Sequence, residues 1–293
     1  MPDTHRRHSL AIVWAVARTE YIRWATDPRM ILLPVLLVFL YQSAVDPLLQ
    51  MAAQMQAPLH WLEPFVAVTN SPLLMLFLPL VFLMLLGDFP RTDGCALFML
   101  YRVGRLRWLQ GQLLFALLAM LSFLACTAAG VTLPAIGQLH GGTNWSETVR
   151  LYTRTFPEQS QSFAAELIPE QLYNQMRPVA ALVHSCLLQL LYLQILALWM
   201  LRFWCARQRR LGFFTAVLLV ALGAASAMLG GGWMWVFPMA HANVWLRHTS
   251  VLRQVAFPLW GSYCVLAAWA AVLAVLDVRA VRRYNFLDIS EIE

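Results

Sequence analysis

The stretch MILLPVLLVFLYQSAVDPLL, residues 30–49, decides the fold class of this chain. It carries no charged side chain before Asp46, near its end, and it follows the charged sequence Asp27-Pro28-Arg29. A helix needs about 20 mostly apolar residues to cross the hydrocarbon core of a bilayer. The stretch is therefore predicted to be a transmembrane helix.

The same character recurs along the whole chain. Five more apolar stretches of this length lie at about 67–87, 111–136, 179–201, 211–230 and 256–277. None of them contains a basic residue, as expected where a charge in lipid is costly. The sequence predicts an all-α polytopic membrane protein with six transmembrane helices.

The composition agrees with this class and excludes some functions. Of 293 residues, 60% are hydrophobic and 12% are charged, whereas soluble domains carry roughly 25% charged residues. All 21 basic residues are Arg, and Lys is absent. A P-loop nucleotide site and Schiff-base chemistry both require Lys. We predict that the chain is not an enzyme and has no catalytic, cofactor or metal site of its own.

The arginines predict the orientation. Sixteen of them lie in alternate segments that include both termini, and five lie in the segments between. Cytoplasmic loops of membrane proteins carry the excess of basic residues. Both termini are therefore predicted to be cytoplasmic, and the net charge of +6 is interpreted as a topological signal. No nucleic-acid partner is expected.

The predicted organisation is one transmembrane domain with short cytoplasmic ends. Its parts are a cytoplasmic segment 1–29, a six-span domain 30–278 and a cytoplasmic tail 279–293; the domain includes a cytoplasmic loop 88–110 and outer segments 139–178 and 231–255. The first outer segment is interpreted as a binding cap or a spacer. Pro238 in the second permits it to re-enter the membrane.

Residues 8–28 have the pattern of an interfacial amphipathic helix. Apolar residues recur at helical spacing at Leu10, Val13, Trp14, Ala17, Tyr21 and Trp24. Such a helix rests in the headgroup layer with its Arg facing lipid phosphates and the cytosol. Asp27-Pro28 is predicted to end it, because the residue before Pro is disfavoured in the α region. A plain anchoring helix is the alternative.

The loop 88–110 is long for a connection between two helices, which usually takes about 2–8 residues. Pro90 and Gly94 predict a turn, and apolar residues from Leu97 to Trp108 recur at helical spacing. A short helix lying flat and offered to a cytoplasmic partner fits this length. A basic loop that only fixes orientation is the alternative.

Polar residues are sparse within the spans. Ser185, Gln189 and Tyr192 share one face of the fourth predicted span. They are interpreted either as helix-packing contacts, the usual role of uncharged polar residues in lipid, or as part of a translocation path. Pro79 is predicted to kink the second span.

Two stretches resemble the membrane subunit, or permease, of ABC-2 type ABC transporters. ARTEYIRWATDPR, residues 17–29, is similar to the basic interfacial helix of that family. The loop 88–112, through its sequence YRVGRLRWLQGQ at 101–112, resembles the family's cytoplasmic loop between spans two and three. Six spans with both ends inside also fit the family. The outer segment 139–178 is longer than the family's usual connection.

The resemblance implies a subunit of an exporter in the bacterial cytoplasmic (inner) membrane. Its partners would be a separate ABC ATPase, which would hold ATP and Mg, a second permease copy in a homodimer or related heterodimer, and the lipid bilayer. The 88–110 loop would dock on the ATPase. The candidate coupling residues are Asp88, Arg91, Asp93, Arg102 and Arg105.

Two other functions stay open at this point. One is an ATP-independent membrane transporter. The other is a membrane scaffold or haem-handling protein, which would use His241 and the Trp-rich residues 233–245.

Overall fold

The structure, a computed structural model, describes residues 2–91, 101–160, 162–249 and 254–283, and only the backbone of residues 2–9. Its described part is mostly helical. Among the described residues, five helices are long and apolar enough to cross a membrane: Pro28–Met55, Arg105–Gln138, Pro178–Cys205, Arg209–Leu229 and Leu259–Arg283. The chain is thus an all-α, multi-pass membrane protein, as predicted for its class.

The elements are numbered here in chain order. The α-helices are α1 (Pro2–Ala25), α2 (Leu32–Leu40), α3 (Asp46–Met55), α4 (Glu63–Asn70), α5 (Phe77–Leu85), α6 (Arg105–Thr132), α7 (Glu147–Thr155), α8 (Phe163–Glu166), α9 (Glu170–Tyr173), α10 (Pro178–Cys205), α11 (Arg209–Leu229), α12 (Pro238–Ala242) and α13 (Leu259–Arg283). Two short parallel strands, β1 (Leu59–His60) and β2 (Leu139–His140), pair with each other.

Helix α10 lies at the centre of the bundle. It contacts α4, α5, α6, α11, α12 and α13. Its residues from Ile195 to Leu198 are buried without interruption, so neighbours surround this part of the helix. Its first half leaves an apolar face uncovered at Val179, Val183 and Leu187, and α11 does so at Phe214 and Leu218.

The first predicted span is one apolar segment with a local widening. A π-helical turn, Tyr41–Val45, joins α2 to α3. Pro47 lies in the first turn of α3 and has no N–H to donate to a carbonyl four residues earlier. Local π adjustments of this kind can re-satisfy the backbone groups that a proline frees in a transmembrane helix.

The second predicted span is not one continuous helix, so the expectation of an uninterrupted helix over 67–87 is wrong. α4 ends at Asn70 and α5 begins at Phe77. Ser71 at the break is extended, with ψ 131°, because it precedes Pro72 and the α region is disfavoured there. Pro79, the predicted kink, lies in the first turn of α5, where proline is tolerated.

The amphipathic helix α1 packs against α6 with a face that differs in part from the predicted one. Val13, Ala17 and Trp24 of the predicted apolar stripe are buried, but Leu10 and Trp14 are exposed by 67% and 52%. Val16 and Glu20 are buried as well, so the contact face is rotated away from Leu10 and Trp14 and keeps the rest of the stripe. Close approach explains the rotation: a Cβ at Gly111 of α6 would lie 2.6 Å from the Cβ of Val16.

The outer segment 139–178 folds into short helices that pack on the bundle. Its second half contains the one-turn helices α8 and α9. Buried Trp145 and Leu172 anchor the segment, and the Trp145 indole N–H donates to the carbonyl of Met176 at 2.6 Å. The segment is therefore packed rather than a loose connection.

Candidate functional site

Five charged residues from three parts of the chain meet at one end of the bundle. We call Asp27, Arg29, Asp88, Arg91 and Arg209 the ion-pair network. Asp88 accepts from Arg29 and from Arg209, each at 2.6 Å, and Arg91 pairs with Asp27. The network joins the end of α1, the segment after α5 and the start of α11.

Hydrogen bonds with backbone groups fix the positions of the network residues and of Trp24 beside them. Arg209 also donates to the carbonyl of Gly87 at 3.0 Å. The Asp27 carboxylate accepts from the backbone N–H of Arg29 at 2.9 Å, which caps the 3₁₀ turn Pro28–Ile31. The Trp24 indole N–H donates to the carbonyl of Leu85 at 3.1 Å. The path from α1 into the first span is therefore fixed against the end of α5.

The structure places the predicted coupling residues in different settings. Asp88 and Arg91 belong to the network. Arg105 donates to the carbonyl of Arg282 at 2.7 Å and so ties the start of α6 to the end of α13. Arg102 is exposed. Asp93 falls within residues 92–100, outside the described residues.

The predicted flat helix in the loop 88–110 is shorter at its carboxyl end than the sequence suggests. Residues 101–103 are helical, but Gly104 has φ 85° and separates them from Arg105. Glycine adopts this conformation without steric cost. Trp108 is therefore part of the long helix α6, where it packs against Trp204 of α10 with ring centroids 5.4 Å apart.

The three polar residues predicted on one face of α10 are all buried. Ser185, Gln189 and Tyr192 are exposed by 1%, 5% and 0%. The Ser185 hydroxyl accepts from the side-chain amide of Asn70 at 2.7 Å. This bond joins α10 to α4, so the contact observed for Ser185 is a helix-packing one.

Asn70 occupies the break between α4 and α5. Its amide nitrogen bonds to Ser185, and its amide oxygen accepts from the backbone N–H of Val244 at 3.1 Å. One side chain thus joins the end of a broken helix to the central helix and to the segment before α13. Interrupted helices are common around binding sites near the middle of the membrane in transporters.

An apolar cavity of about 490 Å³ lies beside this junction. Its walls come from α4, α6 and α10 and from the segment before α4, and Trp61, Phe65, Leu124, Ala128, Leu182 and Cys186 are among its lining residues. Ligand pockets in proteins span roughly 300–1,000 Å³. The cavity therefore has the size for a hydrophobic molecule or an acyl chain.

The opposite end of the bundle is closed by a buried carboxylate. Glu63 accepts from the backbone N–H groups of His60 and Ser146 at 2.8 and 2.7 Å and from the Ser146 hydroxyl at 2.8 Å. Burial raises the pKa of Glu63, and these hydrogen bonds partly oppose that rise. The carboxylate fastens α4 to the start of α7, beside the pairing of β1 with β2.

The segment 231–255 contains a buried histidine. His241 of α12 has both ring nitrogens engaged, with the Ser262 hydroxyl at 3.0 Å and the carbonyl of Trp235 at 2.8 Å. Trp235 also stacks on Phe257 with ring centroids 4.7 Å apart. The packing of His241 therefore leaves neither ring nitrogen available as an axial haem ligand.

No protein-family model, curated protein or solved structure matches the chain.

Several residues of these sites were not singled out from the sequence. The network partner Arg209 and the junction residue Asn70 pair with residues 121 and 115 positions away, and a pairing over such a distance leaves no periodic signal. Two local signals existed: charges that flank apolar stretches, as at Asp27 and Arg209, and the Ser71-Pro72 dipeptide inside a predicted span.

Proposed function

We propose that the chain is the transmembrane permease subunit of an ATP-driven ABC exporter, and that it couples to a separate ATPase through the loop 88–110. The observation that carries this proposal is the ion-pair network. It connects the base of that loop at Asp88 and Arg91 with the helix α1 and with α11. A push on the loop would be transmitted to both.

The proposal requires six crossings with both termini on the cytoplasmic side. The broken segment α4–α5 supports this requirement. It begins beside Glu63, which contacts Ser146, and it ends beside Asp88, which contacts Arg209. α4 and α5 together thus lead from one end of the bundle to the other, although neither is long enough to span a bilayer alone.

The candidate coupling residues divide into two roles under this proposal. Asp88 and Arg91 hold the base of the loop, and Arg105 holds its carboxyl end to α13. Arg102 is exposed between these anchors and is the described residue best placed to contact the ATPase. Asp93 is the acidic candidate for the same surface.

The apolar cavity between α4, α6 and α10 is the proposed binding region for a lipid-like or amphipathic cargo. Its lining is almost wholly apolar, and the neighbouring Asn70–Ser185 contact belongs to the break in the second span. Exposed apolar faces, such as Val35 and Val38 of α2, would face lipid or a second permease copy. ATP and Mg would be bound by the partner ATPase.

Copurification tests the assignment. The tagged chain is co-expressed with a candidate P-loop ATPase, chosen first among genes adjacent to its own, extracted in mild detergent and isolated by its tag. We expect the wild-type chain to retain the ATPase and Arg102→Gln to retain about fivefold less, since an interface charge pair is worth on the order of 1 kcal/mol or more. Arg154→Gln, an exposed arginine at the opposite end, is the matched control.

Asp88→Asn separates coupling from docking. We expect this variant to retain the ATPase but to lose control over ATP hydrolysis by the complex in liposomes, because the loop base is no longer fixed to Arg29 and Arg209. A wild-type chain that binds no ATPase would contradict the proposal. Transport by the isolated chain in ATP-free vesicles would support an ATP-independent transporter instead.

A further inference from the structure

A cluster of buried donors lies where the segment after α12 meets the start of α13. Arg247 is fully buried, with 0% of its surface exposed. Its Nη2 donates to the carbonyl of His241 at 2.5 Å, while its Nε and Nη1 have no hydrogen-bond partner among the residues that the structure describes. The indole nitrogen of Trp245 and both ring nitrogens of His248 are likewise buried without one.

Arg247 also has no counter-charge among the described residues. Burial lowers its pKa to about 10, and no carboxylate contributes to that value. The guanidinium is therefore still cationic at neutral pH. Burial lowers the pKa of His248, and the charge of Arg247 lowers it further.

A buried cation without a partner is costly. Buried charges in proteins are almost always paired, and an unsatisfied buried donor loses its hydrogen bonds to water without replacing them. Here five nitrogen atoms without a hydrogen-bond partner fall within positions 245–248: one of Trp245, two of Arg247 and two of His248. At least four of them carry an N–H donor, because a neutral imidazole has one. Such a concentration of unmade hydrogen bonds indicates a partner from outside the chain.

We propose that Arg247, with Trp245 and His248, binds an anionic oxygen group, a phosphate or a carboxylate. Guanidinium and indole N–H groups are donors, and charge-assisted hydrogen bonds from Arg to such oxyanions are among the strongest in proteins. The group would be a free anion or the headgroup of an anionic lipid. This inference does not depend on an ATPase partner.

The site has a defined place in the bundle. Arg247 follows Val244, whose N–H donates to Asn70 at the break of the second span, and its carbonyl accepts from Ala256 at 2.7 Å. An anion held there would neutralise the charge between α10, α12 and α13. We therefore expect occupancy of the site to stabilise the packing of these three helices.

The test uses the isolated, delipidated chain in a nonionic detergent, and its readout is the thermal unfolding midpoint. One arm titrates inorganic phosphate with ionic strength held constant by sodium chloride. The other compares mixed micelles of phosphatidylglycerol with mixed micelles of phosphatidylcholine. We expect at least one arm to raise the midpoint of the wild type by roughly 3–8 °C at saturation. A response to phosphate assigns a free anion, and a response to phosphatidylglycerol alone assigns a headgroup.

Two substitutions connect this response to the cluster. Arg247→Gln is expected to abolish it, whereas Arg150→Gln, an exposed arginine of α7, keeps it. Without ligand, Arg247→Gln should unfold at the same temperature as the wild type or higher, because an unpaired buried charge has been removed.

Trp245→Phe keeps an aromatic ring and removes only the indole N–H donor. This variant is therefore expected to fold even if Arg247→Gln does not. We expect it to raise the half-saturating ligand concentration about fivefold, the value of one hydrogen bond near 1 kcal/mol. Trp233→Phe, half-exposed in the same segment, is its control. The proposal is overturned if the wild type responds to neither ligand, or if Trp245→Phe and Arg247→Gln respond with wild-type affinity.

Discussion

Asp88 shows how much a partly exposed residue contributes when it joins distant parts of the chain. It contacts Arg29 before the first span and Arg209 at the start of α11. The three side chains are 34–44% exposed, so each pair is worth only about 0.2–1 kcal/mol. Their main effect is geometric, because two arginines from separate helices fix one carboxylate at the base of the loop.

Replacing Asp88 should therefore cost little stability and should do so in a salt-dependent way. We expect Asp88→Asn to lower the free energy of unfolding by about 1 kcal/mol at low ionic strength and by less at 1 M salt, where the Debye length is about 3 Å. Thermal unfolding at the two salt concentrations measures this. Glu158→Gln, an exposed acid at the other end of the bundle, should change nothing, and a loss that does not depend on salt would contradict the ion-pair explanation.

Alanine substitutions at Asn70 and Ser185 are expected to lower stability by different amounts. Ser185→Ala removes one interhelical hydrogen bond, worth about 0.6–2 kcal/mol in membrane proteins. Asn70→Ala removes the same bond and also leaves the buried N–H of Val244 without its acceptor, at a further cost of about 1–3 kcal/mol.

Detergent-solubilised variants compared by thermal or denaturant unfolding will show whether this order holds. Ser226→Ala provides the reference, because the Ser226 hydroxyl donates to Gly223 within its own helix. If Asn70→Ala and Ser185→Ala lost equal stability, the hydrogen bond from the Val244 N–H to Asn70 would contribute nothing measurable.

At the level of elements, the contact between α1 and α6 depends on the absence of a side chain at Gly111. A Cβ there would lie 2.6 Å from both Cβ and Cγ1 of Val16 and 3.2 Å from the carbonyl of Val13. The neighbouring Tyr21 and Ser122 hydroxyls are 2.6 Å apart. The small residue lets the two helices approach closely enough for this bond to form.

Gly111→Ala is expected to separate the helices and lower stability by about 1–3 kcal/mol, the usual cost of overpacking, although alanine is the better helix former. Unfolding measurements give the cost, and Gly137→Ala, whose Cβ would meet no atom within 4 Å, gives the baseline. Adding Val16→Gly should recover part of the loss. Stabilisation by Gly111→Ala would show that α1 does not pack here as described.

The buried Glu63 predicts how stability at the other end of the bundle depends on pH. Its pKa is raised in the folded protein, so the folded state binds the proton more tightly than the unfolded chain does. The penalty for the ionised carboxylate is fully present above the folded pKa and disappears as the pH falls toward the ordinary value for Glu.

We therefore expect the wild type to gain stability relative to Glu63→Gln when the pH is lowered from 7.5 to 5. The unfolding midpoints of the two proteins at several pH values measure the difference. Glu147→Gln, which replaces an exposed acid of α7, should follow the wild type. If the unfolding midpoint of the wild type instead rose relative to that of Glu63→Gln as the pH increased, the predicted direction would be wrong.

At the scale of the whole molecule, apolar content predicted the class of fold well but not the continuity of its helices. Five of the six predicted spans are long helices. The exception is the second predicted span, which breaks at Ser71-Pro72, although the following Leu73 and Leu74 continue the apolar run. Composition could not reveal the break, because lipid and a protein interior favour the same side chains and proline occurs within transmembrane helices.

The candidate site was predictable only in part, for a related reason. Asp88 and Arg91 became candidates because they lie in the loop that resembles the cytoplasmic loop of the permease family, and Ser185 because it is polar within an apolar stretch. Their partners Asp27, Arg209 and Asn70 are brought close only by the fold, over 64 to 121 positions in sequence. Local periodicity carries no information about pairings of that length.

The path of α4–α5 determines the topology of the entire chain. If this broken segment crosses the membrane, residues before the first span and residues between α10 and α11 lie on the same side. The contacts of Asp27 with Arg91 and of Asp88 with Arg209 require these regions to be close. The excess of arginines in the same segments predicts that this side is cytoplasmic.

Labelling of single cysteines in a chain without its native ones tests this topology. Ala25→Cys, Gln208→Cys and Arg283→Cys should be protected from a membrane-impermeant maleimide in intact cells, whereas Asn144→Cys should react; all four positions are exposed. Permeabilised cells provide the control, since every site should then react. If α4–α5 did not cross, Ala25 and Gln208 would lie on opposite sides, and Asn144 would be protected together with Ala25. That pattern would also remove the basis for a coupling loop between 88 and 110, because the loop would then lie outside the cell.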